Sequence, residues 1–196
     1  MNTISNSTIE AIISRKEMIK FIESGEDTTD LVLISISEPI SEDYPDGELT
    51  DEQVSKFKAS LRVKFWDITE NIGNYTVIPD DVALTIQQFI KENIDSHFII
   101  NCRAGQSRSA AVGKAIECIK FFGVGEEAKY EYKTCFNSEI DSHHRYCPNI
   151  KVFNKVVKDY TWFTLRTYFC IITITNNTKS LIYWQRRMTV GGTASN

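Results

Sequence analysis

The sequence predicts an α/β fold of three layers, with a central, mainly parallel sheet of about four to five strands flanked by helices. Three observations predict it. Leu31–Ser37 and Phe98–Ile100 are short, β-branched apolar runs, and Leu61–Trp66 alternates apolar with polar residues, as strands do. Between these runs lie segments whose apolar residues recur at helical spacing, and strands alternating with helices point to a parallel sheet. The 196 residues, 42% hydrophobic and 24% charged, suffice for about one domain with its own core, which excludes collagen-like, low-complexity and wholly disordered chains.

Each element has a local cause. Ser14-Arg-Lys-Glu17 reads as a capping box: the Ser oxygen takes an orphan amide and the Glu reaches back. A helix with Met18, Ile19 and Ile22 on one face should follow. Leu31–Ser37 reads as a buried strand stopped by Glu38-Pro39, and Pro45-Asp-Gly47 as a turn. Thr50-Asp-Glu-Gln53 is a second capping box, opening a short helix with Val54 and Phe57 inward. The strand Leu61–Trp66 ends at Asp67, and Gly73-Asn74 falls in the loop beyond it. Pro79-Asp-Asp81 supplies a helix start with Pro in the first turn, and Val82, Ile86, Phe89 and Ile90 form its apolar face. A further helix begins at Ser107 or Arg108, buries Val112, Ala115, Ile116, Ile119 and Phe122, and ends at Gly123. Residues 123–147 read as loop, and Pro148-Asn149 opens a last helix carrying Val152, Phe153, Val156 and Val157.

Residues 1–160 form the expected domain. The segment 161–196 differs in composition: it holds four basic residues, eight Thr and no Asp or Glu, so a chain of net charge −4 carries −8 outside it. It reads as a C-terminal extension with a flexible end over 191–196. The charge gives no basic footprint, so no nucleic-acid partner is expected. The N-terminus lacks the basic-then-apolar pattern of a secretory signal. Trp162–Ile174, the longest apolar-leaning stretch, contains Arg166 and is too short to cross a bilayer. The expectation is a cytoplasmic protein with no membrane partner. Five Cys at irregular spacing (102, 118, 135, 147 and 170) fit reduced thiols better than a disulfide framework. Cys135, His143, His144 and Cys147 lie within thirteen residues, but their spacing is not that of a zinc site. No metal or cofactor is expected, and no sequence feature sets an oligomeric state.

The chemistry concentrates in Phe98-Ile-Ile-Asn-Cys102-Arg-Ala-Gly-Gln-Ser-Arg108-Ser109, where an apolar strand runs into a Cys, five residues follow, and an Arg begins a helix. Ligands of open parallel sheets sit where strand C-termini meet helix N-termini. Gly105 permits a tight turn, so the amides of residues 103–108 can point inward as an anion nest, aided by the helix dipole. Arg108 supplies a planar fork for two phosphoryl oxygens. Cys102 stands beneath that nest, where cations and a helix N-terminus favour the nucleophilic thiolate.

Cys-Arg-Ala-Gly-Gln-Ser-Arg-Ser resembles the Cys-x5-Arg-Ser signature of cysteine-dependent protein phosphatases, in the dual-specificity form Cys-x-Ala-Gly-x-Ser-Arg-Ser. Leu-Val-Leu-Ile-Ser-Ile-Ser-Glu-Pro and Cys-Pro-Asn-Ile-Lys-Val are similar to compact microbial-type tyrosine phosphatases, so the resemblance covers roughly residues 5–160. It implies a tyrosine-phosphatase-like fold and hydrolysis of phosphotyrosine, and of phosphoserine or phosphothreonine, in a phosphorylated protein or peptide. It makes Cys102 the nucleophile of a phosphocysteine intermediate. Arg108 and the loop of Arg103, Ala104, Gly105, Gln106 and Ser107 would bind substrate, and Ser109 would assist thiolate departure. The family's general acid is an Asp some thirty-odd residues upstream: Asp67, 35 before Cys102, fits better than Asp80 or Asp81, which suit a helix start. The family's usual His before the Cys is here Asn101. Two rival readings stay open: an inactive phosphopeptide-binding relative that keeps the cradle, and a rhodanese-like sulfur transferase, which would not need Asp67. A phosphoinositide or RNA 5′-phosphate substrate ranks below these, because only Arg103 adds a basic residue inside the loop.

Overall fold

The computed structural model describes residues 8–39, 48–136 and 138–160. The expected turn at Pro45-Asp-Gly47 and the extension 161–196 lie outside the described residues; the chain divides into two units between Lys158 and Asp159. Four strands, β1 (Ile9–Ser14), β2 (Leu31–Ser37), β3 (Ala59–Lys64) and β4 (His97–Cys102), form a sheet ordered β1-β4-β2-β3. Every neighbouring pair is parallel. β2 is buried from Val32 to Ser37, as a strand covered on both faces requires.

The helices divide between the faces. α1 (Arg15–Glu23) and α2 (Asp51–Val54) bring Met18, Ile22 and Val54 against Leu33 and Ile99 of the sheet, with Leu49 and Phe57 closing the cluster. Ala11 and Ile13 pack on this side too, so Ile12 faces the other way. There it meets α4 (Arg108–Phe122), which packs on β1 and β4 and against α3 (Asp80–Glu92) and α7 (Ile150–Val156). α4 is buried around most of its circumference, and a Cβ on its Gly113 would stand 2.8 Å from Ile12 Cδ1. The Gln87 amide of α3 donates to the carbonyls of Val156 and Lys158, both at 2.7 Å, tying α3 to the end of α7.

Both capping boxes form: Ser14 and Glu17 cap α1, and Thr50 and Gln53 cap α2. Gly123 ends α4 with φ +88°, and Asn149 caps α7 through its side chain. Four expectations need correction. β1 was not foreseen, because Ile9–Ser14 is a six-residue run whose strand character comes from pairing with β4. The strand expected over 61–66 runs Ala59–Lys64, in register with β2. Pro79 lies at the N-cap of α3 rather than inside its first turn. Residues 123–147, read as loop, include α5 (Glu126–Cys135) and the short α6 (Glu139–Ser142). Tyr132 and Phe153 meet at 5.6 Å between ring centroids, anchoring α5 against α7.

One consequence of this topology positions the site. β1 and β2, the neighbours of β4, send the chain to α1 and α2 on one face, whereas β4 sends it to α4 on the other. The carboxyl end of β4 is therefore flanked by changes of direction that leave a crevice.

Candidate active site

Cys102, the last residue of β4, stands at that crevice and is 1% exposed. Its Sγ lies 3.1 Å from Ser109 Oγ, one residue into α4. Burial pushes the thiol up, but the Ser109 hydroxyl and amide, the charge on Arg108 and the Gly105 amide outweigh it, so the thiol titrates below its ordinary value. The donors that hydrogen-bond the thiolate thus overcome the cost of desolvating it.

The loop between Cys102 and Arg108 is fastened from outside. The carbonyls of Arg103, Gln106 and Ser107 accept the backbone N–H groups of Arg15, Cys147 and Asn149 at 3.3, 3.0 and 3.3 Å. In a trans peptide the following N–H opposes the carbonyl, so the amides of Ala104, Ser107 and Arg108 aim into the loop. Gly105, at φ +68°, rests on the end of β1, where an added Cβ would lie 2.4 Å from Ile13 C and Ser14 N. Only glycine permits both that conformation and that contact.

Arg108 is 2% exposed and held from two sides. Its Nη1 donates to the Phe65 carbonyl at 2.9 Å, and its Nη2 to Glu38 Oε1. Its Nε, 3.8 Å from Asp67 Oδ2, has no hydrogen-bond partner among the described residues. Asp67 follows β3 and meets the loop directly: Ser107 Oγ and Asn149 Nδ2 each donate to its Oδ1 at 2.8 Å. Asp80 stays at the start of α3, bound to Lys155 at 2.9 Å and Lys158 at 3.6 Å, with Lys155 lowering its pKa.

Every site residue expected from the sequence is thus gathered at the β4–α4 junction: Cys102, the loop of Arg103, Ala104, Gly105, Gln106 and Ser107, then Arg108 and Ser109, with Asp67 at its rim. Arg103, Ala104 and Gln106 are exposed there, whereas Ser109 is fully buried. Three further residues were missed. Glu38 reads in sequence as a strand terminator, yet it ends β2 beside the crevice and grips Arg108. Asn149 reads as a helix opener, and the same side chain also orients Asp67. Arg15 has no role in sequence beyond its place in the capping box, yet it is buried and its Nη2 donates to Ile36 O at 2.9 Å. Asn101 is fully buried with its amide atoms unpartnered among the described residues. Strand alternation aims it away from Cys102.

Among the described residues no group of three or more His, Cys, Asp or Glu gathers as a metal site. None of the helices described is long and apolar enough to cross a membrane. No protein-family model matches the sequence, and no curated protein matches it.

Proposed function

We propose that this chain is a metal-independent phosphomonoester hydrolase that dephosphorylates phosphotyrosine, and phosphoserine or phosphothreonine, in proteins through a phosphocysteine intermediate. The observation that carries it is the buried Cys102 thiol, held 3.1 Å from the Ser109 hydroxyl at the floor of a loop whose amides face inward. A thiolate there meets donors suited to a tetrahedral anion. The buried Arg108 Nε adds one more N–H without a partner among the described residues.

In the first step the Cys102 thiolate attacks phosphorus, an S–P bond forms and the P–O ester bond breaks. The departing oxygen takes its proton from Asp67, which Ser107 and Asn149 hold at the rim. Arg108 and the loop amides carry the charge of the three equatorial oxygens. In the second step water attacks phosphorus and gives its proton to the Asp67 carboxylate. The S–P bond breaks, inorganic phosphate leaves, and Ser109 donates to the returning thiolate. Splitting hydrolysis this way replaces one difficult displacement by two easier ones. A nucleophile of this kind works only while reduced, which fits the cytoplasm.

The test is an aryl-phosphate assay on chelator-treated protein, comparing wild type, Cys102→Ser and vanadate-inhibited samples. Turnover should survive chelation and disappear in the other two. Activity persisting in Cys102→Ser overturns covalent thiol catalysis. Thiosulfate turnover without phosphatase activity would favour the sulfur-transferase reading. Phosphopeptide binding without turnover, unchanged in Cys102→Ser, would favour a binding module.

A further inference from the structure

Two arginines among the described residues are buried, and both belong to this corner of the fold: Arg108 at 2% exposure and Arg15 at 9%. A buried guanidinium is costly unless it is paired or has work to do. Arg15 follows β1 directly, and Ser14 before it lies in register with Cys102 across the sheet. Its backbone N–H donates to the Arg103 carbonyl inside the loop, and its side chain crosses to the Ile36 carbonyl at the end of β2. It therefore spans from β1 past the end of β4, where Cys102 stands, to β2. Burial lowers the pKa of its guanidinium, while Glu38, Cys102 and Glu48 act to keep it charged and Arg108 opposes them.

We propose that Arg15 is a positioning residue of this site, whose buried positive charge at the end of β4 helps hold Cys102 as a thiolate. Asn101, directly before the nucleophile, has no charge to offer. The ionisable or donor groups around the sulfur and the two arginines come from five segments. α4 contributes Arg108 and Ser109, and the Cys102–Arg108 loop contributes the Gly105 amide. Arg15 begins α1, and Glu38, beyond β2, supplies the anion shared by the two arginines. Asp67, beyond β3, acts through Arg108. The contribution of Arg15 is smaller than that of Arg108, because Arg108 is among the leading influences on the thiol.

The inference rests on the phosphatase reading only in treating Cys102 as the working nucleophile, and its test needs no phosphate substrate. Alkylation of the full chain by iodoacetamide is followed against pH at the Cys102 peptide by mass spectrometry. The rate rises with pH through the thiol midpoint, because only the thiolate reacts. Arg15→Gln keeps a donor for the Ile36 carbonyl but removes the charge, and its midpoint should rise by roughly half a unit to one unit. Arg15→Lys keeps the charge but loses the fork, and its midpoint should stay within a few tenths of wild type. A purely structural role would disturb both variants alike in melting and neither in midpoint. An unchanged midpoint in Arg15→Gln overturns the proposal. Should that variant not fold, Arg15→Met, which also removes the charge at similar length, decides: a raised midpoint supports the proposal and an unmoved midpoint overturns it. A chain that hydrolyses no aryl phosphate yet shows these midpoints would sink the phosphatase reading and leave this inference standing.

Discussion

Helix α4 has a buried cysteine near each end, and the two thiols are set in opposite directions. Cys102 lies immediately before the loop leading to its N-terminus, and Cys118 sits toward its C-terminus; both are essentially inaccessible. Burial pushes Cys118 up to about 11, against a small pull from Lys129. Its Sγ faces carbonyl oxygens, Ala128 O at 3.6 Å and Gly123 O at 4.0 Å. Cys102 is subject to the same penalty of burial, but hydroxyl, amide and guanidinium donors face it, and it titrates below its ordinary value. Both thiols bear the cost of burial, and the difference is that hydroxyl, amide and guanidinium groups offset it at Cys102 and little does at Cys118. A helix delivers positive partial charge at one end and negative at the other, and this fold places a thiol at each.

The comparison breaks most severely if the donors at the N-terminal end are displaced. Gly105→Ala would force a Cβ to within 2.4 Å of two backbone atoms at the end of β1 and strain a left-handed residue. The loop must move, and several inward amides are lost together. Removing one such donor costs about 10²–10³-fold, so aryl-phosphate turnover should fall by at least ~10³-fold. Thermal melting should report about 1–3 kcal/mol of lost stability. Turnover near wild type would mean that the loop amides do not carry the transition-state charge.

Asp67→Asn comes next. The amide keeps an acceptor for Ser107 and Asn149 but cannot protonate the leaving oxygen. Turnover should drop by about 10²–10⁴-fold, while vanadate inhibition stays close to wild type. The effect should shrink for an aryl phosphate whose phenol is a good leaving group, since that substrate needs less protonation. Wild-type rates would move the acid elsewhere along the rim.

How much of this was legible in the sequence depends on whether the information was local. Cys102 to Ser109 is one continuous stretch whose Gly and Arg spacing dictates its own loop, so its residues could be named without coordinates. The capping boxes at Ser14 and Thr50 are equally local, and both form. Asp67 was within reach because it stands 35 residues before Cys102, the spacing that the resemblance implies for a general acid. Glu38, Arg15 and Asn149 were not, because their roles exist only across the strand order β1-β4-β2-β3, which brings three segments distant in sequence to one corner. Ile9–Ser14 failed for a related reason: a short run on the edge of the sheet owes its conformation to β4 rather than to its own pattern. α5 was hidden by its charge, with Glu126, Glu127, Lys129, Glu131 and Lys133 outnumbering an apolar face that rests chiefly on Ala128 and Tyr132.

Ser109→Ala sharpens the contrast by removing a single donor. The Ser109 hydroxyl is 3.1 Å from the sulfur and heads the influences that oppose burial. A hydrogen bond to a charged group is worth roughly 1.5–3 kcal/mol, so losing it should raise the thiol midpoint by about one to two units. The thiolate population at neutral pH then falls, and the acid limb of kcat/KM moves to higher pH by the same amount. An unshifted limb would assign the lowered midpoint to Arg108 and the Ser109 and Gly105 amides.

The smallest effect is expected at the other end of the helix. At pH 7.5 iodoacetamide should modify Cys102 faster than Cys118, because Cys102 titrates below its ordinary value and burial pushes Cys118 up to about 11. Cys118→Ala removes a sulfur that packs against Ala128 and leaves a small cavity. It should cost about 1 kcal/mol in melting and change turnover by less than about twofold. A large loss of rate with little loss of stability would show that the C-terminal end of α4 is coupled to the loop at its N-terminus. In that case the two thiols would not be independent, and the groups facing each sulfur would no longer explain their difference.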